Sequence, residues 1–288
     1  MRIGAKLPNS GPLPLDVGIP SMARAFEDAG FDSLWVSDHV VLPREIRSRY
    51  PFAADGRATW PTDTPYLDAL IALALAAAAT ERVRLGTAVL VLPMRNPVEL
   101  AKQAASIDVA SGGRLELGVG AGWLAEEFAA LNVPFARRGA RLEEWIAIAR
   151  ACWTGAPPPH AGEHYDLPAD VLCLPTPAHD IPILVGGHSP VALKRAGRVG
   201  DGWLGQQAAG ALDPDTLQAE IATIADAAGG AKPRTVLRIV ESLGRPDVVA
   251  AHLRALADAG VDEVVVDVPV DRDGAARDLE TLRAGVGA

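Results

Sequence analysis

Four short stretches carry the residue types best suited to chemistry. In Ser37-Asp38-His39 a carboxylate and an imidazole close an apolar run of strand type. Imidazole is the side chain that ordinarily changes charge nearest neutral pH, so a strand end of this kind suits proton transfer to or from a redox group or a substrate. Successive strand residues face opposite sides, so only one of the pair looks inward while the strand lasts. We take His39 as the inward, reacting group; its plainer role would be to cap the strand.

The second stretch, Gly186-Gly187-His188-Ser189-Pro190, follows an apolar run and opens a helical pattern. Pro suits the first helical turn, Ser can cap it, and free amides at a helix start hold a phosphate without any special side chain. The third, LELGVGAGW at 115–123, places Gly118, Gly120 and Gly122 at a strand end, which reads as room for a flat ring beside the backbone. It is not a dinucleotide fingerprint, because the third glycine would fall at Trp123 and no acidic strand end follows about 20 residues on. The absent acidic partner and the number of strands before the motif disfavour a methyltransferase. The fourth, Gly86-Thr87-Ala88-Val89-Leu90, puts small residues where a strand would otherwise carry branched ones. Glu126 and Glu127 open a helix, where acids complement the helix dipole whatever else they do. Arg44, Arg47 and Arg49 read as solvated loop charges, and the remaining histidines lack the spacing of metal ligands, so no metal site is expected.

These stretches must be held by a scaffold, and the chain alternates short β-branched runs with helix-length amphipathic ones. Eight strands are expected, at 2–7, 33–36, 84–90, 115–119, 183–185, 202–204, 236–240 and 264–268. Such alternation forces parallel strands with helical crossovers. Ile19, Met22, Ala23 and Phe26 lie on one helical face, stopped by Gly30. EDAGFDSLWV at 27–36 is echoed by ADAGVDEVVV at 257–266, as repeated βα units would be. Eight strands in a single domain spanning 1–288 favour a (β/α)8 TIM barrel, with function at the C-terminal rim. Two proline-rich stretches, about 40–65 and 155–182, exceed a minimal barrel and are expected as insertion loops at that rim.

The balance of 27 Lys and Arg against 36 Asp and Glu, a formal charge of −9, argues against a nucleic-acid surface and for a small-molecule substrate. Cys152 and Cys173 read as reduced thiols of a cytoplasmic protein, and the first residues show no signal-peptide core. The apolar run 67–79 is shorter than the roughly 20 residues a membrane helix needs, so a buried or interface helix is expected there and no membrane partner.

Together, SLWVSDHV (33–40), LGTAVLVLPMRNP (85–97), LELGVGAGW (115–123) and PILVGGHSP with GRVGDGW (182–203) resemble the luciferase-like monooxygenase family, and especially its branch that uses the deazaflavin coenzyme F420. The resemblance implies a cis Ala88–Val89 bond in a β-bulge behind the central ring of the cofactor. It also implies a phosphate grip at Gly186, Gly187, His188 and Ser189, with Asp38 and Gly120 among the cofactor residues. The activity it implies is hydride transfer between F420 and a small organic substrate, with His39 moving the proton. The alternative is an FMN-dependent monooxygenase of the same fold, using reduced flavin and oxygen. A homodimer is what the family suggests.

Overall fold

The computed structural model describes residues 1–53, 55–58 and 60–287. The strands β1 (Arg2–Lys6), β2 (Ser33–Val36), β3 (Arg84–Val91), β4 (Leu115–Gly120), β5 (Ile183–Gly186), β6 (Gly202–Ala208), β7 (Arg234–Val240) and β8 (Glu263–Val266) run parallel. Each pairs with its neighbours in sequence, and β8 pairs with β1, Arg2 opposite Glu263, so the sheet closes into a (β/α)8 barrel. The outer ring is α1 (Ile19–Ala29), α2 (Ala69–Ala79), α3 (Pro97–Ser111), α4 (Ala125–Ala130), α5 (Arg138–Trp153), α6 (Pro190–Val199), α7 (Pro214–Ala227), α8 (Pro246–Asp258) and α9 (Arg272–Gly287).

The helices form where the apolar period is helical. In α1, Ile19, Met22, Ala23 and Phe26 are all buried against the strands, and burying a side chain of the larger kind contributes about 1.5–3 kcal/mol. Gly30 ends the helix at φ +99°, where a Cβ would be strained. The helix-to-strand echo has a physical basis. Asp32, Asp201 and Asp262 each precede a strand and each accept a hydrogen bond, at 2.8 Å, from the amide of Ile3, Ile183 or Thr235 on the strand before. Each also returns its own N–H to the carbonyl of that same residue. One aspartate thus sets the register of a βα unit three times around the barrel.

Alternation along the strands fills the interior in layers. At the N-terminal end Glu116 and Glu263, both fully buried, are met by Arg2, Arg84 and Arg234. Above this ionic plug lie Trp35, Leu184, Leu204, Val236 and Val265. Trp35 takes the centre because Gly86 is a glycine: a Cβ there would lie 2.3 Å from the indole. The next layer forms the mouth.

The two insertions go to different places. The segment 40–65 follows β2 and crosses the mouth. The segment 155–182 follows a helix instead of a strand, so it leaves from the N-terminal end and climbs the outer side of α5. There Glu144 accepts from the amides of His164 and Tyr165, and Arg137 pairs with Glu163 near the start of that helix. Within it His160–Ala161 pairs antiparallel with Asp166–Leu167. The second insertion thus runs along a helix, with Glu163 at its tip reaching the rim end of α5. No helix among the described residues is long and apolar enough to cross a membrane.

Candidate active site

The mouth is built on an irregularity of β3. The bond Ala88–Val89 is cis, and the register between β3 and β4 shifts between Thr87 and Leu90, a β-bulge. The bulge turns the Val89 side chain into the barrel, where it lies between two strand-end glycines. A Cβ on Gly120 would come within 2.7 Å of Val89 Cγ2, and one on Gly186 within 3.0 Å of Cγ1. A Cβ on Gly118 would meet the Thr87 carbonyl at 2.0 Å. The glycines of LELGVG therefore make room for the neighbouring strand. What they produce is an apolar floor of Ala88 and Val89 resting on the Trp35 layer.

At one side of this floor stands His39. Its Nδ1 lies 2.9 Å from Glu127 Oε2, and Glu127 is fully buried. The other oxygen of Glu127 accepts from the amides of Val40 at 2.6 Å and Val41 at 3.2 Å. One carboxylate so fixes both the imidazole and the backbone that carries it. With a carboxylate at Nδ1 that nitrogen holds the proton, and Nε2 faces the mouth as the working position. Glu126 does the same one loop further on, accepting from Ser48 Oγ at 2.6 Å and from the amides of Arg47 and Ser48. Both glutamates do stand in the first helical turn, where the dipole favours them, and they also anchor the β2 loop.

Asp38 points the other way. Its carboxylate accepts from the Val91 amide at 2.9 Å and from Arg95 Nη2 at 2.6 Å, tying β2 to the end of β3. Burial pushes the carboxyl upward and the Arg95 guanidinium opposes this. Both oxygens are engaged in these ties, which fix the backbone that carries His39.

The turn after β5 is fixed with equal care. His188 Nε2 accepts from the Gln206 amide at 2.9 Å and Nδ1 lies 2.8 Å from Glu220, so both ring nitrogens are occupied. Ser189 caps α6 by accepting from the Ala192 amide. Gly187 has φ +117°, with its carbonyl accepting from Trp203 Nε1. This leaves the backbone of residues 187–189 and the first turn of α6, rather than the His188 ring, to meet an anion.

Around the other half of the mouth the side chains are polar. Gln206 and Arg238 are register partners on β6 and β7, and Asp267 follows β8. Arg238 is buried, pairs with Asp267, and donates to the carbonyls of Ile239 and Val265. Lys6, the last residue of β1, donates to the Leu7 carbonyl at 3.0 Å and Asn9 Oδ1 at 3.1 Å. Asn9 in turn binds Ser37, whose hydroxyl accepts from Tyr66 at 2.6 Å. Burial pushes the Tyr66 phenol up to about 12, so it acts as a donor. None of Lys6, Gln206, Arg238 or Asp267 was singled out from the sequence; period-2 alternation in each strand was the signal that could have found them.

The β2 loop covers this arrangement with rings. Tyr50 stacks edge-on against Trp60 and Trp123, at 5.0 and 5.1 Å between centroids, and Phe52 meets His188 at 6.0 Å. His39 lies against Tyr66 at 5.4 Å. A cavity of about 200 Å³ opens beside it, lined by Val40, Val41, Leu42, Thr62, Asp63, Thr64 and Tyr66.

Comparison with known proteins agrees with this construction. Residues 18–240 match the family model described as luciferase-like monooxygenase. An uncharacterized protein of Mycobacterium tuberculosis is 36% identical over 248 residues, 85% of this chain and 83% of the relative. An F420-dependent glucose-6-phosphate dehydrogenase of Beutenbergia cavernae is 33% identical over 272 residues, 89% of this chain and 74% of the relative. Among solved structures, an F420-dependent secondary alcohol dehydrogenase in complex with an F420-acetone adduct superposes with a TM-score of 0.75 at 20% identity, covering 99% of this chain and 98% of that one. An FMN-bound type II Baeyer-Villiger monooxygenase of Pseudomonas putida gives 0.74 at 17%, with 99% and 98% covered. Closed barrel, bulged third strand and a model match over most of its length place this chain in the luciferase-like monooxygenase family.

Proposed function

We propose that the protein is an oxidoreductase that transfers a hydride between F420 and a small alcohol or carbonyl compound. The observation that carries this reading is the His39–Glu127 pair at a barrel mouth whose floor is the bulged Ala88–Val89 segment. A flat ring laid on that floor has an apolar support below, an oriented imidazole beside it and aromatic side chains above. The residues fit such a group: Val89 with Ala88 would support the ring, and the backbone of Gly187, His188 and Ser189 with the start of α6 would hold its phosphate. When bound, the deazaflavin supplies reversible two-electron hydride chemistry; the chain supplies position and the proton path.

In the oxidising direction His39 Nε2 takes the hydroxyl proton of the substrate, and in the reducing direction it returns one to the carbonyl oxygen. Glu127 keeps the tautomer that leaves Nε2 available. Tyr50, Trp60 and Trp123 exclude water from the same space. The F420-dependent relative at 33% identity supports this choice of cofactor. The FMN reading rests on the same floor, which suits either ring system, and on the FMN-bound neighbour of like fold. A screen of small alcohols and carbonyl compounds against F420, monitored by its absorbance, tests the proposal. Bleaching or recovery with a member of the set is expected. Oxygen consumption with reduced FMN, and no change with F420, would replace it by the monooxygenase reading.

A further inference from the structure

The charged half of the mouth has no part in the chemistry above. Hydride and proton transfer need the floor and His39; they need neither Lys6 nor Arg238. We propose that the sector from β6 round to β1 is a subsite for a carboxylate on the substrate, so that the hydride partner is a small monoanionic 2-hydroxy or 2-oxo acid. This rests on the oxidoreductase reading and specifies its substrate class.

Three observations carry it. First, three donor side chains, the Lys6 amine, the Arg238 guanidinium and the Gln206 carboxamide, gather in one sector whose inward carboxylate is Asp267, while Glu241 lies exposed at its edge. Second, Gln206 Nε2 is buried and makes no well-formed hydrogen bond, the Tyr50 phenol being its polar neighbour. Leaving a buried donor unpaired is costly, and an acceptor supplied by a ligand removes that cost. Third, the charges count to a monoanion. Arg238 is held in place by Asp267 and two carbonyls, so the pair is neutral and fixed. A protonated Lys6 adds one positive charge, which one carboxylate balances and a phosphate dianion would exceed. Tyr50 meets the Gln206 side chain and feels the Arg238 and Glu241 charges, so the β2 loop would lie over the ligand from above.

The amine itself favours this reading. Burial, and then the Arg238 charge, lower Lys6 to about 7, with Asp267 opposing. An anion binds the protonated form, so binding takes up a proton above that pH, and affinity declines as pH rises from 7. For one linked proton the decline is up to about tenfold per pH unit.

Calorimetric titration of the full-length protein, with and without F420, tests this with glyoxylate, pyruvate and phenylpyruvate, each against its methyl ester. At least one acid is expected to bind at least tenfold more tightly than its ester at pH 6.5, with the preference fading by pH 9. Lys6→Met should abolish the preference, Lys6→Arg should keep it without the pH dependence, and Gln206→Leu should weaken the acid alone. Melting temperatures near that of the parent confirm that the variants fold. Equal binding of every acid and its ester, or an unchanged preference in Lys6→Met, overturns the subsite. The acid preference is read as binding, so it survives if F420 is the wrong cofactor. Turnover of esters with F420 and no acid preference would leave the oxidoreductase standing and remove the subsite.

Discussion

Replacing Glu127 by Gln changes one atom and should silence the site. In the parent, Oε2 receives Nδ1–H of His39 at 2.9 Å while Oε1 receives two backbone amides. The amide form keeps an oxygen for Val40 and Val41 but must present NH2 to the ring. Nδ1 then becomes the acceptor, the proton moves to Nε2, and the nitrogen facing the mouth can no longer take one. Losing a positioned general base costs about 10²–10⁴ in rate. The structural cost is far smaller. Two bonds to a charged oxygen become bonds to a neutral one, a loss of about 1–2 kcal/mol altogether. For a chain of this size that lowers the melting temperature by roughly 2–8 °C. The assay is steady-state alcohol oxidation with F420, beside a thermal melt and a cofactor titration. Turnover should fall by at least about a hundredfold with cofactor affinity within a few-fold. A variant retaining half the parent rate would refute the tautomer argument and reduce Glu127 to a loop anchor.

Other outcomes rest on the same geometry. His39→Ala should lose about the same 10²–10⁴ in turnover and, by leaving the buried Glu127 Oε2 without its donor, cost about 1–3 kcal/mol, checked by kinetics and calorimetry together. Gly120→Ala places a methyl 2.7 Å from Val89 Cγ2 and should cost about 1–3 kcal/mol with weakened cofactor binding, seen in a melt and a titration. Glu116→Leu removes the buried partner of Arg84 and Arg234 and should destabilise by about 3–5 kcal/mol, yet leave cofactor affinity intact because the plug lies at the far end of the barrel. Lys6→Met should be more stable than the parent at pH 7. A lysine held at about 7 in the fold and near 10.4 unfolded makes the parent gain stability as pH rises between those values, so the gap should shrink by at most about 1.4 kcal/mol per pH unit in denaturant titrations from pH 7 to 10.

Much of the scaffold was legible because its signals are local. Eight apolar runs separated by amphipathic stretches could close only as parallel βα units, and the face of Ile19, Met22, Ala23 and Phe26 fell where the period put it. The cis bond at Ala88–Val89 entered through the family resemblance, since nothing in two small residues announces it. What escaped was long-range. Glu127 reaches His39 across 88 positions, and at a helix start the dipole offered a sufficient local explanation. Gly118 and Gly120 were visibly open, but that β3 bulges into the opening depends on a neighbouring strand. Lys6, Gln206, Arg238 and Asp267 are unremarkable in four separate segments and become a group only when the barrel closes. The destination of the 155–182 insertion was readable in principle, because a loop after a helix leaves from the end opposite the mouth.

The central claim is that the Val89 floor and the turn at residues 187–189 hold a deazaflavin. Fluorescence titration of the purified protein with F420 and, separately, with FMN measures it most directly. Tighter binding of F420, with quenching of Trp60 and Trp123 as the β2 loop settles on it, is the predicted result. Tighter binding of FMN, or no binding of F420, would contradict the account.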